Sequence, residues 1–114
     1  MKKVVAILLA LTLVLSLCLS AMAEDVVKIG VFEPASGSNG AGGKQEILGV
    51  QYANSVQPTV EIGGKTYTVQ LVNADNGSSA DKAPSAAQQL VSEGVSVVLG
   101  SYGSGVSIAG SPYF

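Results

Sequence analysis

The residues best equipped to recognise a ligand stand together, Gly100-Ser101-Tyr102-Gly103-Ser104-Gly105. Glycines at 100, 103 and 105 let the backbone come close to a bound molecule, while Ser101 and Ser104 bring hydroxyls to the start of a helix. Free N–H groups and the dipole at such a start favour an anion, for example a carboxylate. The same spacing fits a plainer role for Ser104, the cap of that helix, and spacing alone leaves both open. Catalysis has less to draw on. The chain has no histidine, its one cysteine is Cys18, and no G-x-S-x-G segment occurs. Glu33, Asp75 and Asp81 stand at strand exits or in a first helical turn, where a carboxylate more often serves as a cap or dipole partner than as an acid or base.

A second glycine-rich stretch, Gly37 to Lys44, invites a phosphate-cradling reading and fails it in detail. Its glycines at 37, 40, 42 and 43 do not make G-x-G-x-x-G, and Ser38 stands where a Walker loop needs its first glycine. Neither a nucleotide nor any other cofactor is expected, and no metal-ligand cluster is evident.

The elements that must position these loops alternate. Val26 to Glu33 is a β-branched, nearly continuous apolar run, which suits a strand covered on both faces. Pro34 to Gly43 is a turn-forming stretch. From Lys44 to Val56, the residues Ile47, Leu48, Tyr52 and Val56 predict a helix with one apolar stripe toward the sheet, ended by Pro58. Val60-Glu61-Ile62 and Thr66 to Val72 flank Gly63-Gly64-Lys65 and predict a hairpin leading into the second main strand. Ser78 or Ser79 is placed to cap a helix running through Glu93, with Ala83, Ala86, Ala87, Leu90 and Val91 as its packed stripe, Pro84 in its first turn and Gly94 closing it. Val95 to Leu99 is the third strand, and a last helix begins near Gly105. This β-α-β-α-β-α order predicts an α/β fold with a doubly wound parallel sheet, whose ligand crevice lies along the loops leaving the carboxyl ends of the strands.

The beginning of the chain sets the compartment. Met1-Lys2-Lys3, an uncharged run from Val4 to Leu19 and the small-x-small site Ala21-Met22-Ala23 predict a signal peptide over residues 1–23, cleaved before Glu24. The protein is therefore expected to be exported, to the periplasm or the outer face of the cell membrane. Cys18 reads as one more apolar residue of the leader; Leu17 before it does not resemble the small residue of a lipoprotein site. Residues 24–114 keep four of the six lysines and all eight carboxylates, a net charge of −4. No basic patch offers itself to nucleic acid. The run from Gly105 to Phe114 reads as a helix just started, so residues 24–114 are expected to be the opening portion of a longer domain.

Taken in order, the leader ending AMA-ED, the strand KIGVFEPASG, the helix GGKQEILGVQYAN, the segment GGKTYTVQLVNADN and the run AAQQLVSEGVSVVLGSYGSGVS resemble the periplasmic binding proteins for branched-chain amino acids. The most specific parts are Pro34 to Gly37 and Val97 to Ser104. The resemblance implies the type I periplasmic-binding-protein fold, with residues 24–114 as the first part of lobe one of a two-lobed solute-binding domain. It further implies a non-enzymatic receptor that captures an amino acid and passes it to the permease subunits of an ABC importer. Ser104 then corresponds to the serine that holds the ligand's α-carboxylate, with Ser101, Tyr102, Gly103 and Gly105 forming the surrounding wall. Receptors of this type often carry a large aromatic in the first loop, and the corresponding residue here is Gly42. A sensor ectodomain of the same fold and an exported α/β hydrolase are the alternatives.

Overall fold

Valine and isoleucine crowd the first strand because it lies inside the sheet. The computed structural model describes residues 25–114, so the leader and Cys18 lie outside the described residues. Strand β1 (Val26–Glu33) pairs in parallel with β3 (Lys65–Asp75) on one side and with β4 (Val97–Leu99) on the other. A short β2 (Thr59–Ile62) pairs antiparallel with β3 through the Gly63-Gly64 turn, whose φ values of 61° and 79° are the left-handed geometry of a tight hairpin. The order across the sheet is β2-β3-β1-β4. Because β1 has neighbours on both edges, its loop lies between the loops that leave β3 and β4.

Helices cover both faces. Helix α1 (Gly40–Val56) lies on one, and α2 (Ala83–Ser92) packs with the short α3 (Ser104–Gly110) on the other. The core is on the second side, where Phe32 and Ala74 of the sheet meet Ala83, Ala86, Ala87 and Leu90 of α2 and Val106 of α3. Small residues decide how closely these layers meet. A Cβ on Gly30 would lie 3.1 Å from Leu90 Cδ1 and 3.2 Å from Val98 Cγ2, so α2 settles closely on β1 over a glycine, and a larger residue there would have to displace these side chains. A 3-10 turn at Ser111–Tyr113 follows α3, and Phe114 meets Phe32 edge-on with ring centroids 5.4 Å apart.

Several sequence expectations shift. Helix α1 starts at Gly40, four residues before Lys44, and its buried positions are Gly40 and Gly43, with Ile47, Val50 and Asn54 half-buried. The stripe of Leu48, Tyr52 and Val56 points outward instead, and Tyr52 is 72% exposed. The reason is steric: glycines at the start of α1 let the helix backbone approach Pro34, which turns the larger residues away from the sheet. Helix α2 begins at Ala83 after a turn over residues 79–82 and has no side-chain cap. Val91 falls off its buried stripe. The third strand shortens to Val97–Leu99, although Ser96 still donates its N–H to Lys28 O at 2.8 Å.

Candidate functional site

Three loops leave the carboxyl ends of β1, β3 and β4, and side chains at the strand exits tie them together. Asp75, at the end of β3, accepts hydrogen bonds on Oδ1 from the N–H groups of Ala35 (2.8 Å), Gly77 (2.9 Å) and Ser36 (3.2 Å), and on Oδ2 from the Ser36 hydroxyl (2.7 Å). Partial burial pushes its carboxyl pKa up, but the hydrogen bonds from the Ser36 hydroxyl and the three amides outweigh it and hold the group below the usual carboxylate range. The next residue, Asn76, is fully buried. Its Nδ2 donates to Phe32 O at 3.1 Å and to Ser101 Oγ at 3.0 Å, which joins the exit of β1 to the loop after β4. Ser78, at a positive φ of 58°, accepts from Asn39 N–H and donates to Ser36 O, and so fastens the second loop to the first.

Glu33 performs the corresponding task for the third loop. Its side chain is only 5% exposed, and Oε2 accepts the Tyr102 N–H at 2.8 Å. Burial pushes its pKa up; the Tyr102 amide opposes this, the neighbouring Glu46 carboxyl adds to it, and the result is about 7. Gly100 runs so close beneath this carboxyl that a Cβ there would collide with Glu33 Oε1 and Phe32 O, and its φ of +111° is open only to glycine.

The sequence-selected residues share this loop but do different things. Ser101 turns inward: its hydroxyl accepts from Asn76 and, at 3.4 Å, from Gly103 N–H, while its own N–H donates to Ser107 Oγ at 3.1 Å. Gly103 occupies the cap position of α3 in extended geometry, with no side-chain cap. Ser104 is therefore the first residue of the helix rather than its cap, and its exposed hydroxyl has no partner among the described residues. Gly105, next along, faces open space. Tyr102 is 53% exposed and lays its ring against Gly42: a Cβ on that glycine would lie 2.8 Å from Tyr102 Cε2 and 2.9 Å from Cζ. Across the gap Asn39, which makes no capping bond to α1, brings Nδ2 to 3.7 Å from where a Cβ on Gly103 would stand.

Asn39 of the first loop and Gly42 at the start of α1 thus stand beside Gly103 and Tyr102 of the third loop. The roles of Asn76, Ser78 and Ser107 escaped sequence reasoning, because an Asn or Ser in a turn-rich loop has the same composition signal whether it points in or out; only the D-N-G-S-S cluster hinted at a structured turn. A groove of about 450 Å³ lies elsewhere, under the C-terminal half of α1, lined mainly by Ile29, Val50, Val69, Leu71 and Leu99. Asn54, Gln57, Thr59 and Glu61 also line it, and it holds no basic group to pair with a carboxylate. Among the described residues no group of His, Cys, Asp and Glu could hold a metal ion, and no helix is long and apolar enough to cross a membrane.

A parallel sheet covered by helices, with the loops at its carboxyl edge tied together by Glu33, Asp75 and Asn76, defines the class as an open α/β fold. The particular family follows from comparison. The model of the periplasmic binding protein family matches residues 26–114, and the chain belongs to that family. A leucine-binding protein of Thermotoga maritima is 35% identical, with a TM-score of 0.69 over 76% of this chain and 24% of its own length. The branched-chain amino acid transporter substrate-binding protein of Streptococcus pneumoniae, solved with isoleucine, is 30% identical, with a TM-score of 0.66 over 78% of this chain and 26% of its own. An ABC transporter solute-binding protein of Rhodopseudomonas palustris, solved with benzoate, is 29% identical, with a TM-score of 0.62 over 75% and 23%. No curated protein matches the chain. The fold is that of the type I periplasmic binding proteins, and the chain spans about a quarter of the length of the solved relatives it matches.

Proposed function

We propose that residues 24–114 are the first part of lobe one of an exported, two-lobed receptor that captures a small carboxylate bearing an apolar group and delivers it to the permease of an ABC importer. What two relatives were solved with supports this ligand class, isoleucine in one and benzoate in the other; both are carboxylates with an apolar body. An aliphatic amino acid is the first candidate, given the identity to the leucine-binding protein. The receptor performs no chemistry of its own, and its binding energy serves to hold two lobes closed on the ligand.

One observation carries the reading. The loop from Gly100 to Gly105 is pinned from three sides by Glu33, Asn76 and Ser107, yet the Ser104 hydroxyl at its tip is left exposed and unpartnered. A preorganised donor costs little to engage, which is what a carboxylate site requires. Helix α3 has only seven residues, so its dipole is short and the hydroxyl and loop amides must carry the contact. Isothermal calorimetry of the complete receptor against leucine, isoleucine, valine and benzoate tests the proposal. Binding of at least one is expected, and heat with none of them or with other amino acids would refute it.

A further inference from the structure

Glu33 stands where a negative charge would do harm. Its side chain is 5% exposed, and Oε2 is fixed to the Tyr102 N–H at 2.8 Å. Two residues of extended chain reach at most about 7 Å, so the carboxyl lies within roughly 10 Å of the Ser104 N–H at the start of α3. At that separation a carboxylate would repel an anion on the loop by on the order of tenfold in affinity, taking an effective dielectric constant of about 20. No cation offsets it. The one ion pair among the described residues joins Lys65 to Asp25, and Lys44 of α1 pairs with no carboxylate. Helices α2 and α3 carry no ionisable side chain, and the loop before α3 carries only the Tyr102 phenol. On β3 the register partner of Glu33 is Asp75, whose carboxylate is taken up by the Ser36 hydroxyl and the amides of Ala35, Ser36 and Gly77.

What α1 brings to Glu33 is a second acid, for the Glu46 carboxyl is hydrogen-bonded to it. Two carboxylates have only acceptors, so such a bond needs a proton between them. Burial acts in the same direction, and with the Glu46 carboxyl it outweighs the Tyr102 amide and brings the Glu33 pKa to about 7.

We propose that Glu33 and Glu46 hold one proton between them behind the loop, and that the resulting uncharged carboxyl lets an anionic ligand settle on Gly100 to Gly105, while loss of the proton weakens it. Glu33 is then a positioning residue, since it touches the Tyr102 amide and not the ligand. This rests on the reading of Gly100 to Gly105 as the carboxylate-binding loop and names what keeps the back of that loop uncharged. An anion on the loop favours the protonated pair, so affinity is full below the Glu33 pKa and falls as pH rises through it. The fall depends on ligand charge. Benzoate brings an uncompensated negative charge, whereas the ammonium group of leucine sits beside its carboxylate and cancels much of the repulsion.

The test is calorimetry of the complete receptor between pH 5.5 and 9 with benzoate and leucine, for wild type, Glu33→Gln and Glu46→Gln. Wild type should lose on the order of tenfold in affinity for benzoate across this range, and about two- to threefold for leucine. Glu33→Gln keeps an oxygen for the Tyr102 N–H and never becomes charged, so its affinity should stay level. Glu46→Gln removes the neighbouring charge and should move the fall to lower pH. A flat wild-type profile, or a Glu33→Gln profile parallel to that of wild type, would overturn the proposal with whichever probe binds, while leaving a carboxylate receptor standing. A wild-type receptor that binds neither probe nor any related carboxylate overturns the carboxylate reading and this proposal with it. Carboxyl ¹³C spectra of the ligand-free receptor at pH 6 should show Glu33 protonated, and a charged Glu33 at that pH would equally overturn it.

Discussion

Glu33 provides a pH signature that can be worked out in advance. Its carboxyl is buried at the exit of β1, beside Glu46, and its pKa is raised from 4.5 to about 7. Between those two values the folded chain keeps a proton that the unfolded chain has lost, so folding is favoured most below pH 4.5, weakens as pH rises toward 7, and is independent of this group above it. The whole shift would correspond to about 3 kcal/mol at 1.36 kcal/mol per unit. Water at the crevice mouth, where Glu46 is exposed, screens part of that, leaving on the order of 1 to 2 kcal/mol. Few groups compete in this window, because the chain has no histidine and the Asp75 carboxyl titrates below its usual range. Glu33→Gln keeps an oxygen to accept the Tyr102 N–H and removes the charge. Urea unfolding at pH 5, 6, 7 and 8 should therefore show wild type losing stability as pH rises, with Glu33→Gln nearly level and more stable than wild type at pH 8. A wild-type stability that stays flat or climbs from pH 5 to 8, or a Glu33→Gln variant that retains the wild-type slope, would refute the reasoning, and a carboxyl ¹³C titration would locate the error.

Three other expectations concern the loops and the sheet. Asp75→Ala removes the acceptor of four hydrogen bonds at an exposed site and should destabilise the chain by about 1 to 2 kcal/mol, measured by chemical denaturation, with faster amide exchange at Ala35, Ser36 and Gly77. The carboxylate's contribution should itself be lost as pH falls below 3.8 toward its lowered folded value, the opposite direction to Glu33. Gly43→Ala should be far more damaging than Gly42→Ala: its Cβ would strike the Pro34 carbonyl oxygen and stand 2.6 Å from Pro34 Cγ, costing about 1 to 3 kcal/mol in thermal unfolding. Asn76→Ala removes the side-chain donor to Phe32 O and the shorter of the two donors to the Ser101 hydroxyl and should cost about 1 to 3 kcal/mol, again by chemical denaturation.

Sequence patterns gave away the sheet more readily than the helices. The apolar run from Val26 to Glu33 and the Gly63-Gly64 turn announce their elements because strand burial and hairpin geometry each restrict residue type strongly. Helix α1 misled, since its most conspicuous apolar residues, Leu48, Tyr52 and Val56, face outward, whereas its seat on the sheet is made by glycines that carry no hydrophobic signal. The loop after β4 was legible as a cluster of glycines and serines at a strand exit. What could not be read was the division of labour within it: Ser101 is consumed by Asn76 and Ser104 is left free, a distinction made by side chains from distant parts of the chain. The meeting of Gly42 and Tyr102 was equally hidden, because no local pattern links residues so far apart.

The central claim is that Ser104 receives a ligand carboxylate. Calorimetry of the complete receptor and its Ser104→Ala variant, with whichever of leucine, isoleucine or benzoate binds wild type most tightly, addresses it most directly. Loss of a hydrogen bond to a charged group predicts affinity weakened by about 1 to 3 kcal/mol, with the fold unchanged. Equal affinity in the two proteins would contradict it.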